Sequence, residues 1–247
     1  MGRRRGSTGS SNSGGNGKRR KPQVTWKVSR KKTQRINLNA VLKPAYEDAM
    51  QRFELNLPEL NQRKARVLEF GGLDSDFALR LIQKSLGVIH AECIDESFSQ
   101  KEFQHIVQEN PDVYKKRSYE KTEYENNSFN LIVANRSVPL HSRSAGEAIR
   151  SLLEMVRICS KEGEIKIFPA YPLVFFSEKK FKDSQKIFDS LERAGYEIHF
   201  KTETKKSGAK LFETLSVEGQ KINYPLQVLS IKNTGSLESL RNLLQAE

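Results

Sequence analysis

Glu69, Gly71, Gly72 and Asp95 are the residues of this chain whose types and spacing could do chemistry. The stretch ARVLEFGGLDSDFALRL, residues 65–81, runs from β-branched and apolar residues through a glycine pair into an amphipathic pattern. A strand, a glycine turn and a helix in that order commonly cradle a nucleotide-like ligand. Glycine lets the backbone approach the ligand closely and take positive φ, and the first turn of the helix offers amide donors without helical partners. The turn is short of glycine, because Leu73, Asp74, Ser75 and Asp76 follow the pair. A second acid, Asp95, closes an apolar run 26 residues after Glu69.

Those residues need a scaffold, and the hydrophobic pattern predicts one. Leu38, Val41, Leu42, Ala45, Ala49, Met50 and Phe53 recur at helical steps, with Pro44 marking a bend or a first turn. RVLEFGG is then expected as a strand, and DSDFALRLIQKSLG as a helix capped by Asp74 or Ser75. VIHAECIDE reads as a strand and SQKEFQHIVQENPDV as a helix; NSFNLIVANRS reads as a buried strand, and SAGEAIRSLLEMVRICSKEG as an amphipathic helix ending at Gly163. EIKIFPAY, a helix ending at Gly195 and YEIHFKTE follow, then the strands AKLFETLSV and YPLQVLSIKN and a closing helix SLESLRNLLQA. Alternation of this length implies a parallel sheet covered on both faces. The last two strands lack a helix between them and should pair antiparallel at an edge.

Charge divides the chain. Residues 1–35 hold twelve of the 42 Lys and Arg and no acid, so the rest is neutral, with 30 residues of each sign. This Gly-, Ser-, Asn- and Arg-rich segment buries nothing and is expected to be a disordered basic tail, ahead of one domain over 36–247. It reads as an arm for nucleic acid, RNA for instance, or as a solubilising leader. QVTWKVSR, around Trp26, reads as a short strand or an anchor where the tail meets the body. No apolar run approaches the length of a membrane span, and no signal peptide is evident. Cys93 and Cys159 read as small buried hydrophobes of a cytoplasmic protein, and His90, His105, His141 and His199 lack metal-ligand spacing.

The order of strands and helices with its terminal antiparallel hairpin resembles the class I S-adenosylmethionine-dependent methyltransferase family, from about Leu38 to Asn233. VLEFGGLDSDFALRL stands where that family has its glycine-rich first motif. AECIDES resembles the second motif, a strand ending in an acid. SFNLIVANRSVPLHS resembles the fourth, and AIRSLLEMVRICSKEGEIKIFP the helix-turn-strand with Arg157 before Gly163. The resemblance implies a doubly wound, mostly parallel seven-stranded α/β sheet with a C-terminal antiparallel hairpin, a Rossmann-like methyltransferase fold. It also implies S-adenosylmethionine as cofactor, with no metal. Glu69 would orient the turn, Gly71 and Gly72 would face the amino-acid part beside Leu73, and Asp95 would accept the ribose hydroxyls. Ser118 would lie by the adenine and Asn135 would line the substrate mouth. The sequence departs from the family's pattern at Leu73 and Ser75, where glycines belong, and at Asn130, where Phe-Asp is common.

The bland readings stand beside these. Glu69 could merely bond the following helix, and Asp95-Glu96-Ser97 could be an ordinary helix start. Tyr114, Tyr119 and Tyr124 beside Lys115, Lys116 and Arg117 interleave aromatic and basic groups as a nucleic-acid surface would, or form a solvated loop; ETKKSGAK is a basic hairpin tip of the same kind. Three functions are in play: an active methyltransferase, a catalytically degenerate methyltransferase-like binding or scaffold protein guided by its basic arm, and a nicotinamide-dependent oxidoreductase. The last needs Gly-x-Gly-x-x-Gly, of which only Gly71 stands in register.

Overall fold

A computed structural model describes residues 45–72, 75–99, 104–138, 145–170, 188–204, 212–217 and 220–245. The chain divides into units 1–36 and 37–247, and every described residue belongs to the second. The basic tail, the Trp26 segment, Pro44, Leu73, Asp74 and His141 lie outside the described residues.

The described helices are α1 (Tyr46–Arg52), α2 (Leu57–Gln62), α3 (Phe77–Lys84), α4 (Gln104–Glu109), α5 (Ala145–Ile158), α6 (188–193) and α7 (Leu237–Gln245). The strands are β1 (Arg66–Phe70), β2 (His90–Ile94), β3 (Tyr114–Lys115), β4 (Phe129–Asn135), β5 (Cys159–Phe168), β6 (Glu197–Thr202), β7 (Phe212–Val217), β8 (Gln220–Pro225) and β9 (Gln227–Lys232). Seven strands form one sheet in the order β3-β2-β1-β4-β5-β9-β6. β1 pairs in parallel with β2 on one side and β4 on the other, so the strand order reverses there. Crevices at such reversals are where open α/β sheets hold ligands.

The sheet is doubly wound because both faces of its strands are apolar. Leu68, Phe70, Ile132, Ala134, Ile165 and Ile231 pack with α5, α6 and α7 on one face. Val67, Leu131 and Val133 pack with α1, α3 and α4 on the other, with Phe77, Leu81 and Ile106 among the helical contributors. Each buried side chain of this size contributes about 1.5–3 kcal/mol relative to exposure, so the two layers carry the fold. α2 was not legible as a helix, yet Asn56 accepts the Glu59 amide at 3.3 Å and proline stands in its first turn. The Asn-x-x-Glu pattern of a capping box was the available signal.

The seven strands are the expected number with a different membership. β3 is only two residues long and lies parallel to β2, too short to show as a pattern. The C-terminal antiparallel hairpin is present as β7 and β8, a two-stranded sheet of its own. β9, the body of the expected strand YPLQVLSIKN, does not pair with β7 at an edge but lies antiparallel between β5 and β6 and leaves β6 at the edge. Burial explains this: β9 hides Val228 on one face and Leu229 and Ile231 on the other, whereas β6 exposes Glu197, His199, Phe200 and Lys201.

α5 ends at Ile158 rather than Gly163. β5 begins at once, with its pairing to β4 shifted between Phe129 and Leu131. Gly163 serves this shift: a side-chain carbon there would stand 2.9 Å from the Asn130 carbonyl oxygen and 2.8 Å from Cys159 Sγ. Asn233 fastens the excursion, donating its side-chain amide to the Cys159 carbonyl at 2.6 Å and its backbone amide to the Gly163 carbonyl at 2.8 Å.

Candidate nucleoside crevice

The tips of β1, β2 and β4 meet at the reversal. β1 ends by donating the Gly71 amide to the Ile94 carbonyl at 2.8 Å, with Gly71 in the left-handed region at φ 72°. Its missing side chain matters: a carbon there would be 2.5 Å from Ser137 Cβ and 3.2 Å from the Tyr119 hydroxyl. Ser137, just past β4, donates its hydroxyl to the Phe70 carbonyl.

Asp95 follows β2 and is 5% exposed. Its Oδ1 accepts the Ser97 amide at 2.8 Å, the helix-start geometry of the bland reading. The Tyr119 ring stacks on Phe70 with centroids 5.9 Å apart, and its amide donates to Glu96 Oε1 at 3.2 Å. Burial and the Asp95 charge hold this phenol far above the ordinary tyrosine range. The Tyr119 hydroxyl therefore lies beside the Gly71 turn.

Glu69 points to the opposite face. It is 2% exposed, and burial pushes its carboxyl up to about 7, against the pull of the Ser75 hydroxyl, the Ala78 amide and the Cys93 thiol. Its Oε2 has no hydrogen-bond partner. Gly72 packs onto it so closely that a side-chain carbon would be 2.5 Å from the carboxyl carbon and 2.8 Å from Cys93 Sγ. The Cys93 thiol donates to the Gly72 carbonyl at 3.4 Å, and burial raises it well above a free thiol. Ser75, where a third glycine was expected, is buried and accepts the Phe77 amide at 3.1 Å, while the Tyr114 hydroxyl donates to its carbonyl at 3.0 Å. Asp76 is the residue at the N-cap of α3, and its carboxylate accepts the Ala45 and Tyr46 amides at 2.8 and 3.0 Å.

The mouth beside the crevice is built at the ends of β4 and β5. Asn135 donates to Asp48 at 3.1 Å, and its own side-chain oxygen is buried without a partner. Arg52 bonds Asp48 at 2.6 Å and lies 3.7 Å from the centroid of Phe168. Arg136 sits at φ 55°, donates its amide to the Phe168 carbonyl at 2.5 Å, and holds its guanidinium 6.0 Å from the same ring. Burial works to raise the Asp48 carboxyl, but Arg52, Asn135 and Arg136 together hold it below the ordinary range.

A polar lattice fixes the segment that carries Tyr119. Arg117 donates to the Thr122 carbonyl at 2.6 Å and lies 4.4 Å from the Tyr124 ring centroid. Thr122 donates its amide and hydroxyl to Glu154 Oε1 at 2.7 and 2.6 Å. Arg157 donates to Glu154 at 2.7 Å, to the Tyr124 carbonyl at 2.8 Å and to Asn126 at 2.8 Å. The Tyr124 hydroxyl donates at 2.5 Å to Glu92, which Lys115 and His90 also contact at 2.6 and 2.7 Å.

Glu69, Gly71, Gly72, Asp95 and Asn135 thus gather at the strand ends, and Leu73 falls outside the described residues. Ser118 is not drawn in: it is exposed and its hydroxyl accepts the Glu120 amide at 3.3 Å. Its neighbour Tyr119 takes the inward place. The aromatic-basic run is not a surface of exposed rings, because Tyr114 is fully buried and Tyr119 and Tyr124 pack onto the core. Sequence reasoning missed Tyr119 and Ser137 as crevice residues; the signal available was a large aromatic one place beyond Ser118. Among the described residues, no group of His, Cys, Asp and Glu could hold a metal ion, and no helix is long and apolar enough to cross a membrane.

No family model matches the chain, and no curated protein does. Among solved structures, it is similar to an S-adenosylmethionine-dependent methyltransferase of Methanosarcina mazei, with 11% identity and TM-score 0.46 over 79% of this chain and 99% of that one. A methyltransferase of the same dependence from Thermotoga maritima gives 16% identity and TM-score 0.39 over 76% and 94%. A Galdieria sulphuraria chain assigned to sarcosine dimethylglycine methylation gives 19% identity and TM-score 0.40 over 60% of this chain and 53% of its own length. These likenesses transfer no residue roles, which rest on this chain's own geometry.

Proposed function

We propose that the chain is an S-adenosylmethionine-dependent methyltransferase whose nucleoside site is the crevice between Gly71, Asp95 and Asn135. The observation that carries this reading is Asp95 itself: a buried carboxylate at the strand-order reversal, beyond the end of β2 and beside a left-handed glycine. Ribose hydroxyls would donate to such a carboxylate, which fits an adenosyl group. Ser137 and Tyr119 pack against the same Gly71 turn.

With that site open, Asp95 would hold the ribose and Gly71 would let the ligand approach the backbone. Glu69, through its contacts with Ser75, Ala78 and Cys93, would hold the turn. Asn135, with its unpartnered oxygen, would line the acceptor mouth. The bound cofactor supplies an electrophilic methyl group, and such a transfer depends more on alignment than on acid-base help. Arg136 and the Arg52–Phe168 pair flank the same mouth.

A second reading, a methyltransferase-like module that no longer binds cofactor, is favoured by the Ser137 and Tyr119 side chains packed against Gly71. In either reading the basic segment 1–35 serves as an arm for nucleic acid, on the strength of its twelve cations and no acid. The free, buried Cys93 and Cys159 support a cytoplasmic location.

Calorimetric titration with S-adenosylhomocysteine tests the first reading. The wild-type chain is expected to bind, and Asp95→Ala to weaken binding about 10- to 100-fold, the worth of hydrogen bonds to a charged acceptor. Silence at millimolar ligand from the wild type, Tyr119→Phe and Tyr119→Ala proteins alike would leave the module reading in its place.

A further inference from the structure

We propose that Arg136 is the anchor for the methyl acceptor, its guanidinium holding a carboxylate that the acceptor carries. This rests on the proposed function and deepens it by giving the acceptor a chemical class, a small organic acid.

Residue 136 is fixed at the seam between the nucleoside crevice and the mouth. On one side Asn135 donates to Asp48 of α1 at 3.1 Å, and on the other Ser137 donates to the Phe70 carbonyl of β1. The amide of Arg136 itself donates to the Phe168 carbonyl at the end of β5, at 2.5 Å. Three consecutive residues are thus tied to three different elements. Together they hold residue 136 at φ 55°, a left-handed backbone that costs a residue with a side chain about 1–2 kcal/mol. The mount is rigid, and the side chain it carries is exposed.

Charge singles out this guanidinium among the cations of the mouth. Arg52 lies between two acids, Asp48 at 2.6 Å and Glu203 at 3.8 Å, and Lys201 pairs with Glu54. Among the described residues no carboxylate stands within ion-pair distance of Arg136, whose guanidinium lies 6.0 Å from the centroid of the Phe168 ring. Its planar fork of N–H donors is therefore uncommitted, and such a fork takes a carboxylate through two parallel bonds.

The acids of the mouth select among anions. One unpaired cation beside Asp48 and Glu203 balances a single negative charge. A nucleic-acid backbone would bring a row of phosphates against those two carboxylates, and like-charge contacts of that kind reject a partner. A lone carboxylate meets only Arg136. Held there, it would leave the rest of the acceptor to reach past Asn135 toward the crevice, so Arg136 binds and aligns and handles no proton.

The experiment titrates the full, isotope-labelled chain with sodium acetate at constant ionic strength, reading the side-chain N–H signals of Arg136 and Asn135 by NMR. Acetate is expected to shift both signals to saturation in the wild type, and dimethyl phosphate to shift them less at equal concentration. Arg136→Gln keeps a long polar side chain on the same backbone and should lose the Asn135 shift. An unsaturated drift in the wild type, or an Asn135 shift that survives Arg136→Gln, overturns the anchor. Dimethyl phosphate binding as well as acetate overturns the carboxylate class. Calorimetry of the wild type with S-adenosylhomocysteine separates the two readings. Cofactor binding without an acetate response removes only the anchor, whereas an acetate response without cofactor binding leaves an anion site and overturns its role in methyl transfer.

Discussion

Gly71 and Ser137 are packed so that residue 71 has no room for a side chain: a carbon there would stand 2.5 Å from Ser137 Cβ. The φ of 72° adds a second reason, since a β-carbon strains the left-handed backbone. Gly71→Ala should therefore cost at least about 2 kcal/mol from strain and overpacking together. That would lower the melting temperature by roughly 5 °C or more. The check is a thermal melt beside Gly71→Ala/Ser137→Gly, which relieves the overlap and should recover part of the loss. A melt unchanged by Gly71→Ala would show that the turn is not held as described.

Glu69 makes stability depend on pH near neutrality. Burial raises its carboxyl from the ordinary 4.5 to about 7, so between those values the folded protein holds a proton that the unfolded chain has released. Its contribution is whole below pH 4.5 and lost as pH rises through about 7, by on the order of 3 kcal/mol in full. Glu69→Gln has nothing to ionise. The difference between wild-type and Gln unfolding free energies, followed by denaturant titration from pH 4 to 9, should move against the wild type as pH rises from about 4.5 to 7 and level off above that. A flat difference would mean that the carboxyl is not desolvated.

Glu154 and Glu120 both pair with arginines, and the two should differ sharply. Glu154 is 7% exposed and accepts from Thr122 and Arg157. Glu154→Ala strands buried donors and should cost about 3 kcal/mol. Arg150, which pairs with Glu120 at the surface, should tolerate Arg150→Ala with an unchanged denaturation midpoint. Similar midpoints for the two variants would refute the ranking.

Deleting residues 1–35 should lower affinity for a single-stranded RNA and flatten the fall of log affinity with log salt. Twelve cations and no acid leave with the segment, and the remaining charges balance. A filter-binding series at several salt concentrations measures both quantities. Identical affinity and slope with and without the segment would remove the arm from the account.

Much of the fold was legible because apolar periodicity names faces directly. Val67, Leu131 and Val133 go one way, and Leu68, Phe70 and Ile132 the other. Position within the sheet was harder, since it depends on which strand hides both faces: Val228, Leu229 and Ile231 put β9 inside, a comparison between elements and not a local pattern. The candidate site was legible where backbone chemistry decides, at Gly71 and at the strand-end acids. It was not legible where a side chain reaches in from elsewhere. Tyr119 enters from a segment tied to Glu154 and Arg157, more than thirty residues further on, so the large aromatic beside Ser118 did not by itself show which way it points.

β9 also constrains the order of assembly. β6 is made first but meets the sheet only through β9, to which it is joined along six residue pairs from Glu197 opposite Lys232 to Thr202 opposite Gln227. Until residues 227–232 are made, β6 has no strand to pair with and its backbone bonds to water. A chain that stops before residue 227 would leave both β5 and β6 without that partner, an adhesive edge open to any chaperone or neighbouring chain.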